Sequence, residues 1–95
     1  MNKEEVLQKL RLNLPDFKKK YPIETMGIFG SVARGDASIN SDLDILVQFN
    51  GTVGFEFIDL ADELEQRLNC KVDLVSRRGI KPKYWESIKE DVIYV

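Results

Sequence analysis

Two aspartates of this 95-residue chain stand where an acid needs a reason. Asp44 lies between Leu43 and Ile45 at the start of the apolar run Leu43-Asp44-Ile45-Leu46-Val47-Gln48-Phe49, and Asp73 lies between Val72 and Leu74 in a second such run. A carboxylate taken out of water is costly unless it is paired, hydrogen-bonded or bound to a metal. Asp42 precedes Asp44 by two residues, so on a strand both point to one side, roughly 6.5–7 Å apart. If the strand of Asp73 lies alongside, three carboxylates converge, and without a cation one or more would hold a proton. The chain has no His and a single Cys, Cys70, which excludes a structural zinc site and a Ser-His-Asp triad. All-oxygen donors suit Mg²⁺ or Mn²⁺. Plainer roles exist for each acid: Ser41 and Asp42 can cap a turn, and Asp73 can pair with Arg77 or Arg78. Lys71 and Arg34 are further counter-ions.

Gly30-Ser31 changes the balance. It follows the apolar run Thr25-Met26-Gly27-Ile28-Phe29 and opens a short helical turn, Val32-Ala33-Arg34. Glycine lets a ligand approach the backbone, and free N–H groups with a Ser hydroxyl bind anions. A phosphate cradle just before an Asp-x-Asp, with a third Asp on a later strand, is the layout of two-metal phosphoryl transfer.

The elements that must position these groups can be read from pattern. Asn2 with Glu5 forms a capping-box pattern ahead of Val6, Leu7, Leu10 and Leu14 on one helical face, with Pro15 expected to end or kink that helix. Strands are expected at 25–29, 43–49 and 71–75. The stripe Phe57, Leu60, Ala61, Leu64, Leu68 predicts a helix over about 55–69, stopped by a left-handed Asn69. Asp59, Asp62, Glu63 and Glu65 on it read as a solvated face. Pro82 opens a last helix with Tyr84, Trp85 and Ile88 inward, and 91–95 closes as a short strand. The order α-β-turn-β-α-β-α-β indicates a single α/β (α+β) domain over 1–95, a central mixed sheet flanked by helices, antiparallel between its first two strands.

Net charge is −2, but it is segregated: residues 1–20 sum to +3, 21–65 to −8 with Arg34 the only cation, and 66–95 to +3. A generally basic nucleic-acid binder would look different. No apolar run approaches the ~20 residues of a membrane span, and the N-terminus lacks a secretory pattern, so a cytoplasmic location is expected.

The three segments Gly30-Ser31-Val32-Ala33-Arg34-Gly35, Ser41-Asp42-Leu43-Asp44 and Val72-Asp73-Leu74-Val75 resemble the DNA polymerase β-type nucleotidyltransferases, and within them the minimal nucleotidyltransferases of MNT type. The likeness covers essentially the whole chain. It implies a polymerase β-palm-like fold, with Gly30 and Ser31 holding the nucleotide triphosphate. Asp42, Asp44 and Asp73 would bind two Mg²⁺ ions, Asp73 also acting as general base, with Arg34 and Ser41 as further phosphate contacts. It further implies AMP transfer from ATP to a tyrosine of a HEPN-domain ribonuclease toxin, with this chain as the antitoxin. A module that neutralises its partner by docking alone is the rival. Nucleotidyl transfer to a small molecule fits less well, because no residues are left to build a substrate domain. Arg34-Gly35-Asp36 also spells a cell-adhesion tripeptide, here a chance match.

Overall fold

The computed structural model describes residues 2–95. Helix α1 runs Lys3–Lys20, followed by strand β1 (Ile23–Phe29), the short helix α2 (Gly30–Arg34), β2 (Leu43–Phe49), α3 (Glu56–Leu68), β3 (Val72–Ser76), a 3₁₀ turn (Arg77–Gly79), α4 (Pro82–Ile88) and β4 (Ile93–Tyr94). The sheet order is β3-β2-β1-β4. β1 pairs antiparallel with both β2 and β4, while β2 and β3 are parallel, joined by the α3 crossover that parallel strands require. The sheet is mixed, as the element order predicts, and the whole is a small α+β domain.

Alternation along the strands sorts the sheet into two faces. Ile28, Leu43, Ile45 and Val47 point to the face covered by α1 and α3, where Val6, Leu7, Leu10, Phe17, Leu60, Leu64 and Leu68 complete the main core. Phe29 and Leu46 point to the other face, which Ile80 and Ile88 cover with Trp85 packed against them. That second cover is smaller, and it leaves the end of the sheet beside α2 open.

Several elements depart from the sequence expectation for definable reasons. Helix α1 is capped as expected, with the Glu5 N–H donating to Asn2 Oδ1 at 2.9 Å, but it continues straight through Pro15. Pro15 and Arg11 are both exposed, so the carbonyl left without its donor faces water, and buried Phe17 beyond the proline anchors the last turn. The acidic side of α3 is not merely solvated. Glu63 accepts from Tyr21 Oη and Lys20 Nζ, each at 3.0 Å, and lies 3.0 Å from Arg67 Nη2, tying α3 to the end of α1. Glu65 accepts the Val72 N–H at 2.9 Å and so seats the start of β3. Tyr84 is half exposed rather than inward. The closing strand is only two residues long, because the Asp91 N–H turns back to the Ile88 carbonyl and its carboxylate reaches Arg34.

β4 reaches β1 over a glycine. A Cβ at Gly27 would sit 2.7 Å from the Ile93 carbonyl oxygen, backbone that cannot swing aside. Gly27→Ala is therefore expected to push β4 off the sheet and cost about 1–3 kcal/mol, a drop of several degrees in Tm for a domain of this size. Gly79→Ala, where a Cβ meets nothing within 4 Å, is the control and should melt close to wild type.

Candidate active site

The site sits at the open end of the sheet, on the face of Phe29 and Leu46. Phe29, the last residue of β1, is paired with Asp44, and Asp44 is paired in parallel register with Asp73. Adjacent strands lie about 4.8 Å apart, so register alone sets the two carboxylates side by side on one face. They cannot both stay ionised easily. The carboxyl of Asp44 is pushed up to about 6, by burial first, then by the charge of Asp73 and a proton shared with it, then by the charge of Asp42; Arg34 opposes the shift.

Gly30, next to Phe29, turns the chain across this pair with φ +72°, a conformation that L side chains rarely adopt. A Cβ at that position would overlap Oδ2 of Asp44. The backbone of Gly30-Ser31 thus approaches the carboxylate as only glycine permits. The Ser31 carbonyl accepts the N–H groups of Gly35 and Asp36, both at 3.0 Å, which closes α2 into one compact turn ending in a left-handed Gly35.

The other predicted residues separate. Asp42 lies just before β2, exposed, and acts on Asp44 through its charge. Among the described residues no three His, Cys, Asp or Glu side chains form a ready-made metal cage, so the acids form a pair with a neighbour. Ser41 Oγ accepts the Ser38 N–H at 2.9 Å and lies 3.2 Å from the Ser38 hydroxyl, which places it in the loop turn. Arg34 is exposed and bridges Asp36 (3.2 Å) and Asp91 (3.4 Å). Those partners hold its guanidinium above its ordinary pKa. Asp91 was not legible as a partner: it lies 57 residues from Arg34, and only the return of β4 to the sheet brings them together.

A divalent cation fits this donor set. The donors are all carboxylate oxygens, and the Asp44–Asp73 pair is charge-frustrated without a counter-ion. Asp44 and Asp73, with Asp42 beside them, are the residues that would hold it.

The nucleotidyltransferase domain family matches residues 10–95. The chain belongs to that family. A candidate protein adenylyltransferase of Methanocaldococcus jannaschii is 40% identical over 96% of this chain and 95% of its own length. Protein adenylyltransferase MntA of Thermococcus cleftensis is 33% identical over 97% of this chain and 94% of its own. Among solved structures, a candidate minimal nucleotidyltransferase is 35% identical with a TM-score of 0.81, covering 98% of this chain and 95% of that one. A chain from a toxin–antitoxin crystal structure with AMP-PNP is 30% identical with a TM-score of 0.60, covering 85% of this chain and 61% of that one. This is an MNT-type minimal nucleotidyltransferase, an enzyme class whose fold and element order the described residues reproduce.

The raised Asp44 carboxyl has a signed consequence for this nucleotidyltransferase. Between the ordinary value near 3.8 and about 6 the folded state keeps a proton that the unfolded state has released. Stability from this group is therefore complete below about pH 4 and is lost as pH rises through 6. In metal-free buffer Asp44→Asn should melt higher than wild type at pH 8 and show a flatter Tm profile between pH 4 and 6. A wild-type profile in the variant would remove the charge-frustrated pair.

Proposed function

We propose that this chain transfers AMP from ATP to a tyrosine hydroxyl of a HEPN-domain toxin and thereby acts as its antitoxin. The observation that carries the reading is the register-paired Asp44 and Asp73 beside a glycine backbone that no other residue could bring so close. Gly30 and Ser31 hold the phosphates through backbone N–H groups and the hydroxyl, with Arg34 as a cation within reach of the same region once released from Asp91. Ser41 holds the loop that presents Asp42.

Asp42, Asp44 and Asp73 would hold two Mg²⁺ ions, which Mn²⁺ could replace, and the ions would offset the charge that builds up on the phosphates. Asp73, at the outer end of the row, takes the phenol proton. The phenol oxygen bonds to the α-phosphorus, the bond from that phosphorus to the oxygen bridging to the β-phosphate breaks, and pyrophosphate leaves. The supporting relatives are named protein adenylyltransferases, and the AMP-PNP structure is of a toxin–antitoxin. The charge pattern points the same way. Asp42, Asp44 and Asp73 gather at the site while Arg34 is held by Asp36 and Asp91, whereas a template-primer duplex requires a positive groove.

Four measurements test this. Asp42→Asn, Asp44→Asn and Asp73→Asn should each lower AMP transfer by at least ~10²-fold at saturating metal, the scale of losing one major electrostatic stabiliser. Mg²⁺ with ATP should raise the wild-type Tm, a ligand at a hundredfold excess over Kd adding about 2.7 kcal/mol, and the Asp42→Asn/Asp44→Asn protein should lose most of that rise. With labelled ATP, mass spectrometry should find AMP on a partner tyrosine. Label on RNA or DNA ends alone would show the acceptor class to be wrong. Full neutralisation of the toxin by all three variants would leave docking as the mechanism.

A further inference from the structure

Asp42 also forms part of one wall of a groove that none of the assigned roles uses. A cavity of about 540 Å³ lies between the loop 39–42 and the turn 69–71, its walls formed by Ile39 to Asp42 on one side and Asn69, Cys70 and Lys71 on the other. Resting on the nucleotidyl-transfer reading above, we propose that this groove is the acceptor site, where the hydroxyl-bearing segment of a partner polypeptide lies, with Ile39 as its apolar anchor and Lys71 as its positioning cation.

The strand order sets the direction. Across the open end of the sheet the row runs Gly30 beside β1, Asp44 on β2, Asp73 on β3. Two strand spacings separate its ends, about 10 Å. Phosphoryl transfer is in line, with attacking and leaving oxygens on opposite sides of the phosphorus. With the leaving pyrophosphate at Gly30-Ser31, the attacking hydroxyl enters over β3. Lys71 is one residue before β3, and its carbonyl accepts the Leu43 N–H at 2.9 Å. Continuing the register of Asp44 with Asp73 places Lys71 beside Asp42, on the same face and on the entry side.

Both walls are built rather than loose. The Ser41 N–H donates to the Ser38 carbonyl at 3.1 Å and the Ser38 N–H donates to Ser41 Oγ at 2.9 Å, so the loop is a closed turn with Ile39 and Asn40 at its tip. Ile39 is 98% exposed there. A turn tied at both ends holds a large apolar side chain out in water, next to the site. Opposite, Asn69 ends α3 in the left-handed conformation, φ 54°, and turns the chain so that Cys70 and Lys71 line the groove. Lys71 makes no ion pair among the described residues. An apolar anchor, two amide side chains able to bond a peptide backbone, and one unpaired ammonium suit a polypeptide. A nucleic-acid strand would need several cations along its phosphates, and among the described residues Lys71 is the only cation lining this groove.

The test uses this chain and a HEPN-domain toxin supplied as the acceptor. Ile39→Asp and Lys71→Glu should each raise KM for that protein at least ~10-fold with kcat little changed, the signature of lost binding, while Lys71→Arg recovers. The Tm rise with Mg-ATP should stay as in wild type, which separates the acceptor groove from the nucleotide site. A benzophenone side chain at position 39, with AMP-PNP present, should crosslink to the peptide holding the acceptor tyrosine, and one at position 84 should not. If wild type transfers AMP but both groove variants match its KM, the groove is wrong and the transfer reading stands. Crosslinking from position 39 without transfer supports the groove and removes the transfer reading. Neither transfer nor crosslinking overturns both, and crosslinking from position 84 alone moves the acceptor to α4 and overturns the groove.

Discussion

Two carboxylates on neighbouring parallel strands, in register and on one face, are the constraint around which the rest of this protein is arranged. Burial of Asp44 and, after it, the like charge of Asp73 oppose folding, and the raised carboxyl of Asp44 records both. The cost is borne because the flanking strand residues are fully apolar. Leu43 and Ile45 are completely buried against α1 and α3, so β2 cannot slip by one residue to relieve the acids without turning its core face to water. The pairing of Asp44 with Asp73 follows from hydrophobic registration, and the acids are carried along by it.

The remaining features serve that pair. β1 delivers Phe29 opposite Asp44 and then must turn away at once, since the next residue would otherwise meet the carboxylate; Gly30 with a positive φ is the only kind of residue that can make the turn. α2 is a single closed turn because its task is to fold the chain back rather than to cover the sheet. The covering of this face falls to α4 and the 3₁₀ turn, which seal Phe29 and Leu46 and stop short of the acids.

Charge follows the same division. The acidic middle of the chain contains Asp42 and Asp44, and its one arginine is committed to Asp36 and Asp91. Asp91 belongs to the segment between α4 and β4, so this exposed bridge links α2 to the approach of the closing strand. Its energetic weight is small, as for surface ion pairs generally, and its interest lies in which segments it joins.

The outlines of this protein are local and were legible in its residues. The capping pair Asn2 and Glu5, the period of Leu60, Leu64 and Leu68, the left-handed Asn69, the strand Leu43–Phe49 and the antiparallel first pairing all follow from patterns within a few residues, because capping, amphipathicity and turn chemistry act at that range. So did the suspicion about Asp44 and Asp73, since an acid inside an apolar strand is anomalous wherever the strand goes. What pattern could not decide is set by distant packing. Pro15 stays inside α1 because Phe17 is gripped by the core, and Glu63 and Glu65 leave the solvated face because Tyr21 and Val72 arrive beside them. The sequence alone determined which residue types could bind phosphate and cation. Only the tertiary structure decided that Asp44 pairs with Asp73 with Asp42 exposed beside them, that Ser41 serves its loop, and that Lys71 and Ile39 line one groove, because each depends on which strands become neighbours, and strand neighbours are chosen by burial across the whole chain rather than by any local signal.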